Sequence, residues 1–210
     1  MEPFFYALLL ELALGLAVSI LSILVPLFSG TNKEEPAAAP KEDPAAYTAV
    51  VACSGIRAVN PDVLDYQGPS GCAAKIRFFS GPYACSFSCL GGGDCAAACP
   101  QHAISIREGL AVIDRSLCNG CGWCTTVCPR GLISVTDRDR VLYTGCNASM
   151  KDKLPGSVCK AGCTACGECA SVCPENAITF EKNLPVIDRS LCTYCGRCAQ
   201  VCPTDVLRTL

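Results

Sequence analysis

Between residues 4 and 28 almost every position is apolar, interrupted mainly by Glu11, Ser19 and Ser22. A helix rises about 1.5 Å per residue, so a run of this length crosses a hydrocarbon core of about 30 Å with some tilt. The pattern predicts one transmembrane helix within residues 1–30. No Lys or Arg precedes Lys33, so the basic opening of a cleaved leader is missing and the run reads as a retained anchor. Glu11 is costly inside such a helix, which points to a structural role or a hydrogen bond to a partner helix. Gly15 and Ser19 form a small-xxx-small pair suited to close helix packing. Residues 31–46, rich in Pro, Ala and charge, predict a semi-extended tether. Beyond it the apolar runs are short. Those at 104–106 and 111–113 flank a turn at Gly109, and those at 178–180 and 185–187 flank one at Asn183, the pattern of two β-hairpins. Strand-like runs at 50–52 and 141–144 lead into Cys53 and Cys146.

The chain has 210 residues, a formal charge of -2, a single His, two Met and 20 Cys. The balance gives no sign of a nucleic-acid partner, and almost no ligands are left for haem or copper, so metal chemistry must run on thiolates. Dense cysteine means either a secreted disulfide framework or a metal or cluster protein, and spacing separates the two. Cys118, Cys121, Cys124 and Cys128 form a C-x2-C-x2-C-x3-C run followed by Pro129. Cys163, Cys166, Cys169 and Cys173 repeat it before Pro174, as do Cys192, Cys195, Cys198 and Cys202 before Pro203. This is the bacterial ferredoxin run, whose first three cysteines hold one [4Fe–4S] cluster while the fourth serves its neighbour. A tight loop can wrap three corners of a cubane, and the last corner must come from a distant segment.

A fourth copy is altered: Cys85-x3-Cys89-x5-Cys95-x3-Cys99, then Pro100. Cys99, Cys118 and Cys128 map onto Cys173, Cys192 and Cys202 at one constant offset, and at that offset Gly92 falls on Cys166. The first repeat has lost its middle cysteine, and the expected replacement is Cys85. Four ligand sets follow: Cys85, Cys89, Cys95 and Cys128; Cys99, Cys118, Cys121 and Cys124; Cys163, Cys166, Cys169 and Cys202; Cys173, Cys192, Cys195 and Cys198. Four cysteines remain, Cys53, Cys72, Cys146 and Cys159. Two readings stand for them, buried small hydrophobes or a fifth cluster. The expected fold is α+β, with the anchor at 1–30, the tether at 31–46 and two tandem ferredoxin-like 2[4Fe–4S] modules at 47–136 and 137–210. His102 takes the place of Asn176 and is read as a turn residue, while Trp123 and Tyr194 lie inside cluster loops and are expected to shield them. Arg138, Arg140, Lys151 and Lys153 gather between the modules, as a solvated linker or a dock for an acidic partner. No phosphate loop, Ser/His/Asp set or nicotinamide fingerprint appears, so no catalytic residue is assigned.

The order of anchor, tether, strand ending at Cys53, then ACSFSCLGGGDCAAACP and KAGCTACGECASVCP resembles the B subunit of Rnf ion-translocating ferredoxin:NAD oxidoreductase complexes, in the long clostridial-type form. The likeness runs from about residue 49 to 206. Family members usually carry an extra small cluster domain between anchor and modules, where this sequence has only the tether. The resemblance implies an electron-transfer subunit with soluble ferredoxin as donor, other membrane and peripheral Rnf subunits as partners, and coupling to ion movement by the complex. It implies the inner (cytoplasmic) membrane, and the lack of a twin-arginine pair places the cluster-bearing part on the cytoplasmic side. Two competing readings are an anchored polyferredoxin feeding a quinone-linked or other reductase without ion pumping, and a non-redox scaffold stapled by its clusters.

Overall fold

Each half of the cysteine-rich region is built from one outer strand pair and one inner hairpin. The computed structural model describes residues 46–55, 68–78, 83, 85–149 and 159–209. The anchor, and the tether up to residue 45, lie outside them. Among the described residues no helix is long and apolar enough to cross a membrane.

In the first module, β1 (Tyr47–Val51) pairs antiparallel with β4 (Ile133–Asp137), and β2 (Ile104–Arg107) with β3 (Leu110–Ile113). In the second, β5 (Leu142–Thr144) pairs with β8 (Leu207–Thr209), and β6 (Ile178–Glu181) with β7 (Leu184–Ile187). The hairpins close through two-residue turns in which both residues have positive φ: Glu108 at 49° with Gly109 at 71°, and Lys182 at 50° with Asn183 at 65°. That is the turn whose twist matches paired strands. The expected hairpins therefore form, each one residue longer per strand than the apolar runs alone suggest.

Helices are short: α1 (Cys72–Phe78), α2 (Asp94–Ala97), α3 (Trp123–Val127), α4 (Glu168–Ser171) and α5 (Arg197–Gln200). Elements this brief do not persist alone, so packing around the cysteines must hold them. Ala49, Ile104, Ala111, Leu132 and Ile133 form one buried core with Cys89, Cys95 and Cys124. Leu142, Ile178 and Leu207 form another with Cys169 and Cys198. The apolar cores are thus thin shells against sulfur.

Candidate cluster-binding sites

All four cysteine runs share one local construction. A glycine in the left-handed region (Gly93, Gly122, Gly167 or Gly196, φ 85°, 80°, 83° and 73°) opens each of α2 to α5. The turn swings the next cysteine, Cys95, Cys124, Cys169 or Cys198, into the interior. Three residues after each proline-flanked cysteine the backbone turns left-handed again, at His102, Gly131, Asn176 and Asp205 (φ 50°, 58°, 51° and 50°). The following peptide N–H then points back at the sulfur. Ala103 donates to Cys99 Sγ at 3.4 Å, Leu132 to Cys128 at 3.4 Å, Ala177 to Cys173 at 3.3 Å and Val206 to Cys202 at 3.3 Å. His102 is one of these turn residues. Such donors stabilise charge on a sulfur ligand.

The thiols assemble into sets. Burial first, then neighbouring Cys118, Cys121 and Cys99, push the Cys124 thiol up to about 12. Cys95 is pushed up to about 11 by burial and then by Cys89, Cys72 and Cys128. Burial, and after it Cys163, Cys166 and Cys198, carries Cys169 up to about 11 against the Ala170 N–H. Cys198 is raised by burial, with Cys192 and Cys195 adding to it. At Cys202 burial is outweighed by N–H donors from Leu207, Thr204 and Val206, and the thiol is lowered. Cys173, Cys192, Cys195 and Cys198 line one cavity.

The altered first run departs from the sequence grouping. Cys72, not Cys85, joins Cys89, Cys95 and Cys128 around one cavity. A Cβ on Gly92 would strike the Cys72 backbone nitrogen and lie 2.9 Å from its Sγ. The space vacated by the missing middle cysteine is therefore filled by a thiol from α1. Asp94 fixes it there, accepting hydrogen bonds from the N–H groups of Cys72 at 3.0 Å and Ala73 at 3.2 Å. Lys75 Nζ adds a bond to the Leu90 carbonyl at 3.3 Å. Gly92→Ala is expected to cost about 1–3 kcal/mol through overpacking, read as a lower denaturant midpoint in the iron-loaded chain; an unchanged midpoint would refute the close approach.

Cys85 instead lies with Cys53, Cys146 and Cys159 around another cavity. Burial pushes the Cys85 thiol up, the Phe87 N–H opposes this, and Cys146, Cys159 and Cys53 push it further. Cys72 and Cys85 have exchanged the places that spacing assigned them.

Two other expectations shift. Trp123 turns outward, 56% exposed, rather than covering a loop, while Tyr194 packs on the second core. Arg138 works inward: its guanidinium donates to the carbonyls of Arg115, Tyr47 and Cys118, pinning the Cys118 loop to β1. Lys151 and Lys153 lie outside the described residues.

The donors suit a cubane. All 20 cysteines are free thiols. Among the described residues no three Cys, His, Asp or Glu side chains converge closely enough for a single metal ion. A lone tetrahedral zinc, with Zn–S bonds of about 2.3 Å, needs sulfurs about 3.8 Å apart, whereas a [4Fe–4S] cube spreads its four thiolates over separate corners.

A 4Fe–4S dicluster domain model matches residues 88–132 and again 162–206, and a second 4Fe–4S dicluster model matches 117–177. The chain is 38% identical to the B subunit of the proton-translocating ferredoxin:NAD⁺ oxidoreductase complex of Clostridium ljungdahlii, over 77% of this chain and 55% of that one. Identity is 33% to the B subunit of the Na⁺-translocating ferredoxin:NAD⁺ oxidoreductase complex of Acetobacterium woodii, over 67% and 42% respectively. It is 32% to the B subunit of the ion-translocating oxidoreductase complex of Methanosarcina acetivorans, over 66% and 53%. The chain spans about half the length of the curated relatives it matches. The chain thus carries tandem 4Fe–4S dicluster domains and is related to the B subunits of Rnf-type ion-translocating oxidoreductase complexes.

Proposed function

We propose that this chain is a membrane-anchored electron-transfer subunit of an Rnf-type complex, receiving low-potential electrons from soluble ferredoxin. The observation that carries the reading is the presence of four ferredoxin-type thiol sets, two per module, in a relative of known B subunits. Bound [4Fe–4S] clusters would supply one-electron chemistry at potentials anywhere from about −700 to +450 mV.

The chain's own contribution is to hold and tune them. Cys72, Cys89, Cys95 and Cys128 hold one, and Cys99, Cys118, Cys121 and Cys124 its neighbour. Cys163, Cys166, Cys169 and Cys202 hold the third, and Cys173, Cys192, Cys195 and Cys198 the fourth. The peptide donors to Cys99, Cys128, Cys173 and Cys202 favour the more negative, reduced state and so raise the potentials. Burial of Cys95, Cys124, Cys169 and Cys198 keeps water from one corner of each set. Cys166 and Cys195 are exposed, which makes the second module the side a soluble donor can approach most closely. The apolar run at 4–28 would hold the subunit at the inner (cytoplasmic) membrane, with the modules on the cytoplasmic side and ion movement left to partner subunits.

Full-length chain, purified anaerobically in mild detergent, is expected to lose its visible iron–sulfur absorbance within seconds of mixing with reduced ferredoxin. It is also expected to co-purify with integral membrane subunits. Bleaching by dithionite but not by ferredoxin would overturn the donor assignment, and co-purification with a single peripheral reductase would favour the quinone-linked alternative.

A further inference from the structure

Cys53 and Cys85 lie outside both dicluster matches, and Cys146 and Cys159 lie between the paired matches at 88–132 and 162–206, within the second match at 117–177. Free cysteine packs well in a core as a small hydrophobe, and for four scattered residues that would be sufficient. These four are not scattered. They border one cavity, as the cysteines of two of the ferredoxin-type sets do. Packing as small hydrophobes does not require thiols from four separate segments to border one space.

The four also obey the internal repeat. Cys53 follows the last residue of β1 by two positions, and Cys146 follows the last residue of β5 by two. Cys85 stands four residues before Cys89, and Cys159 four before Cys163. Each module therefore contributes the same two positions, and the cavity sits where the modules meet. Ser54 Oγ donates to the Gly145 carbonyl at 3.1 Å, and Arg208 Nη2 donates to Ser54 Oγ at 2.9 Å. Those bonds tie the strand ends that carry Cys53 and Cys146 to each other and to β8. The rest of the wall sets Ala52, Phe87, Ala148 and Ala161 beside the neutral polar Ser54, Ser88 and Asn147, and holds no carboxylate, imidazole or basic side chain. The thiols are not joined as disulfides, and they do not converge as a single-ion site requires.

We propose that Cys53, Cys85, Cys146 and Cys159 hold a fifth [4Fe–4S] cluster at the junction of the two modules. Its four ligands come in equivalent pairs, one pair from each module, so this site is the covalent staple between them. Cys146 also lies near enough to Cys163 for the two thiols to repel, and Cys85 leads into Cys89, so the junction adjoins one set of each module. The inference rests on the four-site reading above and adds one cluster to it.

Iron, acid-labile sulfide and native mass spectrometry on the full reconstituted chain test it. The expected result is about twenty iron atoms and five cluster mass increments, falling to about sixteen and four in Cys53→Ala/Cys146→Ala. About sixteen iron atoms in the unaltered chain, with or without an added zinc ion, would overturn the fifth site and leave the other four standing. Fewer than about twelve would instead sink the four-site reading itself. Should the double variant fail to fold, the native mass of the unaltered chain decides alone.

Discussion

Cys72→Ala is expected to strip the set that includes Cys89, Cys95 and Cys128, lowering the iron content by about four atoms per chain. Cys85→Ala should also lose about four, but from the junction. Iron counting alone does not separate them. Anaerobic alkylation followed by peptide mapping does: Cys89 and Cys95 become reactive in Cys72→Ala and stay protected in Cys85→Ala. The physical ground is the contact between Gly92 and Cys72, where a side chain on one would occupy the place of the other. Asp94→Ala should give a milder form of the same defect, because it releases both N–H groups that fix the start of α1. The reverse pattern of protection would restore the grouping expected from spacing.

Removal of iron by chelation is expected to abolish cooperative structure throughout the described region. Four of the five described helices have four or five residues, and every strand pair is an isolated two-stranded ladder; neither survives alone in water. Structural zinc supplies on the order of 10 kcal/mol to a small domain, and thiolate-held cubanes here are asked for a comparable contribution per site. Rebuilding should also depend on pH. The iron-free chain is unfolded, so its thiols titrate in the ordinary range of about 8.5 and protons compete with iron for the sulfurs below it. Reconstitution should therefore quicken as pH rises from 7 toward 9. A far-UV circular dichroism spectrum and sigmoidal melting curve that persist after complete iron loss would refute the dependence.

Most of the two modules was legible because ferredoxin-type ligation is written in local spacing. Three thiols on one loop and a fourth before proline need no long-range information, and the hairpin turns at Gly109 and Asn183 announce themselves chemically. Cys72 was not legible. Its role depends on α1 docking beside Gly92, a contact made through Asp94 across the fold rather than along the sequence. The repeat nevertheless held the clue to Cys85. Its counterpart at the constant offset is Cys159, a cysteine outside the ferredoxin run, so equivalence argues that both share one role. Vacancy at Gly92 drew attention to the nearest thiol in sequence, while geometry selected one twenty residues upstream. Trp123 misled for a related reason: a loop position says nothing about which way a side chain faces.

The strand pairing also imposes a timetable on synthesis. Tyr47 leaves the ribosome early but must wait for Asp137 to complete its ladder, and Leu142 must wait for Thr209. Cysteines for the first two sets have all emerged once Cys128 is made, and the junction quartet is complete at Cys159, before any ferredoxin-type set of the second module. Maturation machinery that delivers preformed cubanes would thus encounter a finished first module and a half-built neighbour already linked to it. The nascent second module would then fold against an existing template rather than in isolation.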